Sequence, residues 1–354
     1  MKTFEIALYP GDGIGQEVLD QAVRVLEAVQ EQVGGFSLRM TGLDWGAAYW
    51  DRTGRVAPPD FLEVLRGFDA ILLGAIGWPA RIPDHITLEP LIRIRQSFDQ
   101  YACVRPARLF AGVRSPLAVE GASRVDLVVI RENSEGEYVN NGGRFKIGEP
   151  EEFALQTAIH TRRGIERILR YGFDLARKRR RHLTMITKSN AQRYGFVLWD
   201  EILEALRGEF PDVETDKQHV DAAVMNFVRR PETFDVVVAS NLFGDILTDL
   251  GGLIAGGLGL APSANINPER KAPSLFEPVH GSAPDIAGKG IADPVAAVLS
   301  ASMMLEWIGR QEAADRVRRA VEVTLGRGVG TPDLGGTLTT SQMTDEILRS
   351  LEDH

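Results

Sequence analysis

Phe234-Asp-Val-Val-Val-Ala-Ser-Asn-Leu-Phe-Gly-Asp245-Ile-Leu-Thr-Asp249 reads as a buried strand that turns directly into a helix. The apolar run closes at Ala239 and helical spacing opens near Leu242. Asp245 and Asp249 are four residues apart, so both carboxylates project from one helix face. Two acids that close repel unless a cation or hydrogen-bond donors compensate, and hard oxygen ligands favour Mg2+ or Mn2+ over zinc. The alternative is a solvated acidic face. The neighbours Leu242, Phe243, Ile246, Leu247, Leu250, Gly251 and Gly252 are apolar or small and weaken it, but spacing alone leaves both readings open.

Working outward, Phe4–Tyr9, Phe68–Leu73, Val125–Ile130 and Leu183–Ile186 are further strand candidates. Each lies between helix-period stretches, such as Val18–Val33, or glycine-rich turns, which predicts an α/β protein with substantial parallel sheet. Residues 138–156 are punctuated by Asn140-Asn141-Gly142-Gly143 and Gly148-Glu149-Pro150, the mark of a protruding hairpin or arm. Gly11-Asp12-Gly13-Ile14-Gly15 superficially matches a dinucleotide fingerprint. Gln16 stands where the third glycine belongs, and no acidic strand end follows at the expected distance, so an ordinary Rossmann fold is rejected. A tight strand-to-helix turn, with Ile14 facing a ligand, replaces it.

Composition excludes several classes. A chain of 354 residues can build two lobes around a well-buried core, and no apolar run is long enough to span a bilayer. The start, from Lys2 on, enters a strand-like segment without a signal peptide's apolar region. Cys103, the one cysteine, cannot form an intrachain disulfide, and no Cys/His cluster resembles a zinc site. The expectation is a cytoplasmic protein with no membrane attachment. A net charge of -9 argues against nucleic acid or anionic lipid as partner. The basic run Arg177-Lys178-Arg179-Arg180-Arg181 follows a helix and reads as a solvated turn.

Three other groups carry chemistry. Arg95, Arg105 and Arg131 stand near apolar segments, where guanidinium groups suit bidentate carboxylate recognition; individually each is an ordinary surface ion pair. Lys188 follows a strand and could serve as a general base if neighbours lower its pKa. Asp221 is a third candidate metal carboxylate, whereas His219 reads as structural. The stretch Glu277-Pro-Val-His280-Gly281-Ser282-Ala283-Pro284-Asp285-Ile-Ala-Gly288-Lys-Gly290 leads into a helix over Pro294–Trp307. Such a loop can wrap an adenosine, with Asp285 accepting from ribose hydroxyls and repelling a 2′-phosphate, which favours NAD over NADP.

Together these segments resemble the isocitrate and isopropylmalate dehydrogenase family of decarboxylating 2-hydroxy-acid dehydrogenases. The likeness runs from Pro10-Gly-Asp-Gly-Ile-Gly15 to Thr331-Pro332-Asp333, with Asn241–Asp249 and His280–Asp285 as its most specific motifs. Gly77-Trp78-Pro79, Phe98-Asp99-Gln100-Tyr101, Arg131–Tyr138 and Pro262–Pro268 are similar to the tartrate and D-malate dehydrogenase branch. The resemblance implies two α/β domains around a continuous mixed sheet: a discontinuous one of residues 1–99 plus 256–354, and one of 100–255. It implies a homodimer with shared active sites. Arg95, Arg105 and Arg131 would bind substrate carboxylates, and Tyr138 and Lys188 would form the acid–base pair. Asp221, Asp245 and Asp249 would hold Mg2+ or Mn2+, with Lys188 and Asp221 donated by the second subunit. Ile14, His280, Gly281, Ser282, Ala283, Asp285 and Asp293 would hold NAD; a monovalent cation such as K+ could assist.

Two departures stand out. Asp293 occupies a place where many relatives have asparagine, and His85–Arg95 is one residue shorter than the tartrate and D-malate pattern. The expected activity is NAD- and metal-dependent oxidation and decarboxylation of a small 2-hydroxy di-acid, tartrate or D-malate. The rival is 3-isopropylmalate, for which Leu91 and Ile92 could line an apolar pocket. A non-catalytic NAD-binding regulatory protein is the rival from another class.

Overall fold

The computed structural model describes residues 2–118 and 124–353. Its strands, in chain order, are β1 (Lys2–Gly11), β2 (Phe36–Gly42), β3 (Ala70–Ala75), β4 (Ala102–Arg108), β5 (Asp126–Glu132), β6 (Gly142–Phe145), β7 (Phe153–Gln156), β8 (His182–Thr187), β9 (Glu214–His219), β10 (Val236–Ala239), β11 (Pro262–Ile266) and β12 (Ser274–Pro278). Ten of them form one mixed sheet in the order β2-β1-β3-β12-β11-β4-β5-β10-β8-β9. The wings are parallel, and the centre, β12-β11-β4-β5, is antiparallel. The first five strands of that order come from residues 1–99 and 256–354, the other five from 100–255.

The all-apolar strands follow their sequence closely. In β10 every residue is buried, as expected of a parallel strand covered on both faces. The helix Asn241–Ile254 follows at once and turns Asn241, Gly244, Leu247, Thr248 and Gly251 inward. At the opposite extreme β9, Glu-Thr-Asp-Lys-Gln-His, forms the sheet's edge, where charge discourages pairing with another chain. The strand expected to end at Ile130 continues through Glu132, so Arg131 lies within the ladder rather than after it.

Register explains the centre of the molecule. Glu277 lies opposite Ser263, Asn265 opposite Cys103, and Cys103 opposite Arg131. Directly opposed residues share a face, and so do residues two apart in one strand. One face of β12-β11-β4-β5 therefore carries Glu277, Ser263, Asn265, Cys103, Arg105 and Arg131. This polar grid lies beneath the helix Asn241–Ile254, where Gly244 permits contact: a Cβ there would stand 2.7 Å from the Arg131 side chain.

The segment expected as an arm is a two-stranded hairpin, β6-β7, with Phe145 stacked on Phe153 at 4.9 Å and most of its surface exposed. The basic run is more committed than a solvated turn. Arg177 pairs with Asp212 at 2.6 Å, and Arg179 pairs at 2.8 Å with both Asp126 and the buried Asp235. Among the described residues, no helix is long and apolar enough to cross a membrane.

Candidate active site

Arg95, Arg105 and Arg131 converge on one cleft of about 160 Å³. Its wall also contains Tyr138, Asp245, Glu277 and His280, and, on another side, Ile76, Leu88, Leu91 and Ile92. All three arginines are buried. Buried guanidinium groups need partners, and each has one. Arg105 donates to Asp245 Oδ1 at 3.0 Å and to Thr248 Oγ1 at 2.7 Å. Arg131 donates to Asp245 and, through Nε and Nη2, to Asn241 Oδ1 at 2.9 and 2.7 Å. Arg95 donates to Glu277 Oε1 at 2.8 Å. The surface-ion-pair reading of these arginines therefore fails for all three.

Asp245 is the hub. Tyr138 donates its hydroxyl to Asp245 Oδ2 at 2.9 Å. Burial pushes the Asp245 carboxyl up, but Arg131, Arg105 and the Tyr138 hydroxyl outweigh it and hold the group below the usual carboxylate range. Burial and the Asp245 charge push the Tyr138 phenol up, so it keeps its proton at neutral pH. Asp249, one turn further on, is exposed and has no ion-pair partner among the described residues. Although the residue as a whole is exposed, partial desolvation of its carboxyl and the neighbouring Asp245 charge push its pKa up. Two oxygen donors one turn apart, one held ionised and one destabilised by its neighbour, suit a hard divalent cation.

Lys188 and Asp221 lie elsewhere. Lys188 follows β8 and donates to Asp221 Oδ1 at 2.6 Å, and its ammonium holds Asp221 below the usual range. Neither lines the cleft. Among the described residues, no three His, Cys, Asp or Glu side chains of a single chain converge as a metal cage.

The expected adenosine loop is docked on the first strand-to-helix turn. Ile14 N donates to Ser282 O at 2.8 Å, and Gly13, at φ +57°, has no room for a Cβ, which would meet Ser282 O at 1.9 Å. Ser282 Oγ also bonds Gly77 O, and Ala283 holds a positive φ of 39°. Gly281 and Asp285 are exposed. Two buried polar atoms there lack partners: His280 Nε2 and Asp293 Oδ2. Burial lowers the pKa of His280. Burial, then the charge of Asp333, raises that of Asp293 well above the ordinary carboxylate value. Orphaned buried donors and acceptors beside a glycine-lined turn fit a polar ligand such as the nucleotide half of NAD.

Glu277, Asn241 and Thr248 lie within the sequence motifs without a role that the motifs alone assign. Glu277 carried a usable signal, an acid closing an otherwise apolar strand; the others become legible only once Arg105 and Arg131 are seen beneath the helix.

The whole chain has relatives. Residues 5–347 match the family model described as isocitrate/isopropylmalate dehydrogenase. A "probable tartrate dehydrogenase/decarboxylase" of Agrobacterium vitis is 50% identical over 353 residues, covering 99% of this chain and 98% of that protein. The "D-malate dehydrogenase [decarboxylating]" of Escherichia coli (strain K12) is 49% identical over 357 residues, covering 99% of each. The crystal structure of isocitrate dehydrogenase from Methylococcus capsulatus superposes with a TM-score of 0.88 at 39% identity, covering 98% of this chain and 99% of that one. With its mixed sheet, its arginine cleft and this match along nearly its full length, the chain belongs to the isocitrate/isopropylmalate dehydrogenase family.

Proposed function

We propose that the protein oxidises and decarboxylates a small 2-hydroxy di-acid, tartrate or D-malate, using NAD and a divalent cation, Mg2+ or Mn2+. The observation that carries this reading is the cleft itself: three buried guanidinium groups and a protonated tyrosine around a volume suited to a four-carbon acid. Asp245 and Asp249, completed by the partner subunit's Asp221, would hold the cation; Ile14, His280–Ala283, Asp285 and Asp293 would hold NAD. When bound, NAD accepts the hydride and the cation polarises the substrate's hydroxyl and carboxylate oxygens.

The chain's own residues do the rest. Arg95, Arg105 and Arg131 bind the two carboxylates and orient the C2 hydrogen. The partner subunit's Lys188 takes the C2 hydroxyl proton, and Tyr138 delivers a proton to the carbon that loses CO2. The exposed carboxylate of Asp285 repels a 2′-phosphate, favouring NAD over NADP.

A homodimer accounts for two features of the isolated chain. Lys188 and Asp221 stand away from the cleft they are expected to serve. Large apolar side chains are exposed on the arm (Ile147 and Leu155), on two helices (Met225, Ile246 and Leu253) and just before a third (Tyr194). A second copy packed on these elements would cover them.

One observation favours 3-isopropylmalate as the second reading. Leu88, Leu91 and Ile92 present an apolar wall to the cleft, where an alkyl group would gain and a hydroxyl would not. The test is NADH formation from D-malate, L- and meso-tartrate, isopropylmalate and isocitrate, each with Mn2+, Mg2+ or a chelator. The expected result is metal-dependent turnover of D-malate or a tartrate. Activity that survives thorough chelation overturns the metal, and preference for isopropylmalate moves the substrate to the second reading.

A further inference from the structure

The three arginines are held by two independent clamps. Arg105 and Arg131 share Asp245, which descends on them from the helix Asn241–Ile254. Arg95 lies on a different helix, Glu89–Ser97, and among the described residues its one charged partner is Glu277. Its Nε is buried and lacks a hydrogen bond, so the direction of this guanidinium depends on where Glu277 stands.

Glu277 is placed by a buried file of amides. Asn265 Nδ2 donates to Glu277 Oε1 at 2.7 Å, the same oxygen that accepts from Arg95. Asn133 Nδ2 donates to Asn265 Oδ1 at 2.9 Å and to the Gln100 carbonyl at 3.2 Å. Asn133 N is in turn tied to Tyr101 O at 3.0 Å. Asn265 is wholly buried and Asn133 nearly so. The polarity of the file is forced from one end. An ionised carboxylate only accepts, so Asn265 must offer Glu277 its amide nitrogen and turn its oxygen to Asn133, which must then offer nitrogen in its turn. A buried amide used at both ends in line behaves as a spacer with little rotational freedom.

We propose that Asn265 is a positioning residue: through Glu277 it fixes the guanidinium of Arg95 and so sets the pose in which the cleft receives a substrate carboxylate. This rests on the reading of the cleft as a hydroxy di-acid site. Asn265 itself touches no substrate; its effect passes through two side chains.

The test is steady-state kinetics on the full-length enzyme with D-malate, or the hydroxy di-acid of the panel that wild type oxidises fastest. Asn265→Leu keeps the branched four-atom skeleton of the side chain, with bulkier methyl groups, and removes both amide bonds. A hydrogen bond to a charged group typically sustains about a tenfold effect or more. The expected result is a KM raised about tenfold with kcat within about threefold of wild type. Asn265→Asp supplies a second readout. The introduced carboxyl donates to Glu277 when protonated and repels it when ionised, so the ratio of variant to wild-type KM should climb as pH rises from 5.5 to 8.5. A lowered melting temperature with unchanged KM would make Asn265 merely structural and overturn the proposal, as would a pH-independent KM ratio for Asn265→Asp. If wild type oxidises none of the di-acids, the reading of the cleft fails and takes this proposal with it. If wild type is active and both variants match it, only the proposal falls.

Discussion

The arginine cleft and the Lys188–Asp221 pair are both built of opposite charges at hydrogen-bond distance, yet they differ in every physical respect. Arg131 is 1% exposed and meets a carboxylate, an amide oxygen and a helix glycine packed against it. Asp221 has a side chain 62% exposed and meets one lysine. The first arrangement is complete within one chain. The second has the composition of active-site machinery but the setting of a surface ion pair, which contributes little to folding. What separates them is enclosure, and under the proposed function the missing enclosure comes from a second chain.

The sharpest way to break that contrast is to remove Lys188. As general base for the hydroxyl proton, Lys188→Ala should lower kcat about 10³-fold, within the usual range for acid–base groups. Its folding stability, measured by urea unfolding, should hardly move, because the pair it loses is exposed. Mixing settles where the lysine acts. Lys188→Ala and Asp245→Asn are each expected to be inactive. Equal amounts exchanged between dimers should restore about a quarter of wild-type activity, since half the dimers then carry one intact site of two. Mixtures that stay inactive after exchange would confine each site to one chain.

Arg131→Leu, by contrast, should cost stability as well as turnover. It removes one of the two guanidinium groups that hold Asp245, which keeps Arg105 and Tyr138, and it leaves Asn241 Oδ1 without its donor. The buried acceptor of Asn241 left unpaired sets the scale of the loss, about 1–3 kcal/mol. A change under 1 kcal/mol would mean that the cleft carries no more structural weight than the exposed pair.

These two regions were unequally legible in the sequence. Asp245 and Asp249 could be placed on one helix face because four-residue spacing has a fixed geometric meaning. The strand Phe234–Ala239 and the arm near 138–156 were likewise readable, from a continuous apolar run and from clustered turn residues. Spacing could not show that Arg105, Arg131, Asn265 and Glu277 share a face, because that depends on strands adjacent in space but far apart in sequence, as Asn265 is opposite Cys103 across 162 residues. Strand β9 was missed for a related reason: an edge strand full of charge lacks the apolar signal by which strands are found. For Lys188 and Asp221 the residues alone suggest a base and a metal carboxylate, and the family resemblance adds that a second subunit donates them, which no single-chain geometry suggests.

The smallest effect concerns the cofactor loop and sharpens the comparison at the other end of the molecule. Asp293 is buried, accepts from Val295 N at 2.9 Å through one oxygen, and leaves its other oxygen without a partner. Burial and the nearby Asp333 raise its pKa well above the ordinary value of about 3.9. The folded state thus keeps a proton that the unfolded chain releases above that value. Stability associated with this group is full below about pH 4 and declines as pH rises toward the folded-state pKa. Asn at this position keeps the acceptor for Val295 N and replaces the orphaned oxygen with a neutral donor. Asp293→Asn should therefore raise the unfolding midpoint at pH 7.5, by an amount on the order of 1 kcal/mol, the scale of a single favourable replacement. At pH 4 the gain should vanish. An equal gain at both pH values would mean that ionisation of Asp293 plays no part. A loss at pH 7.5 would mean that the acid, unlike the Lys188–Asp221 pair, is fully compensated within one chain.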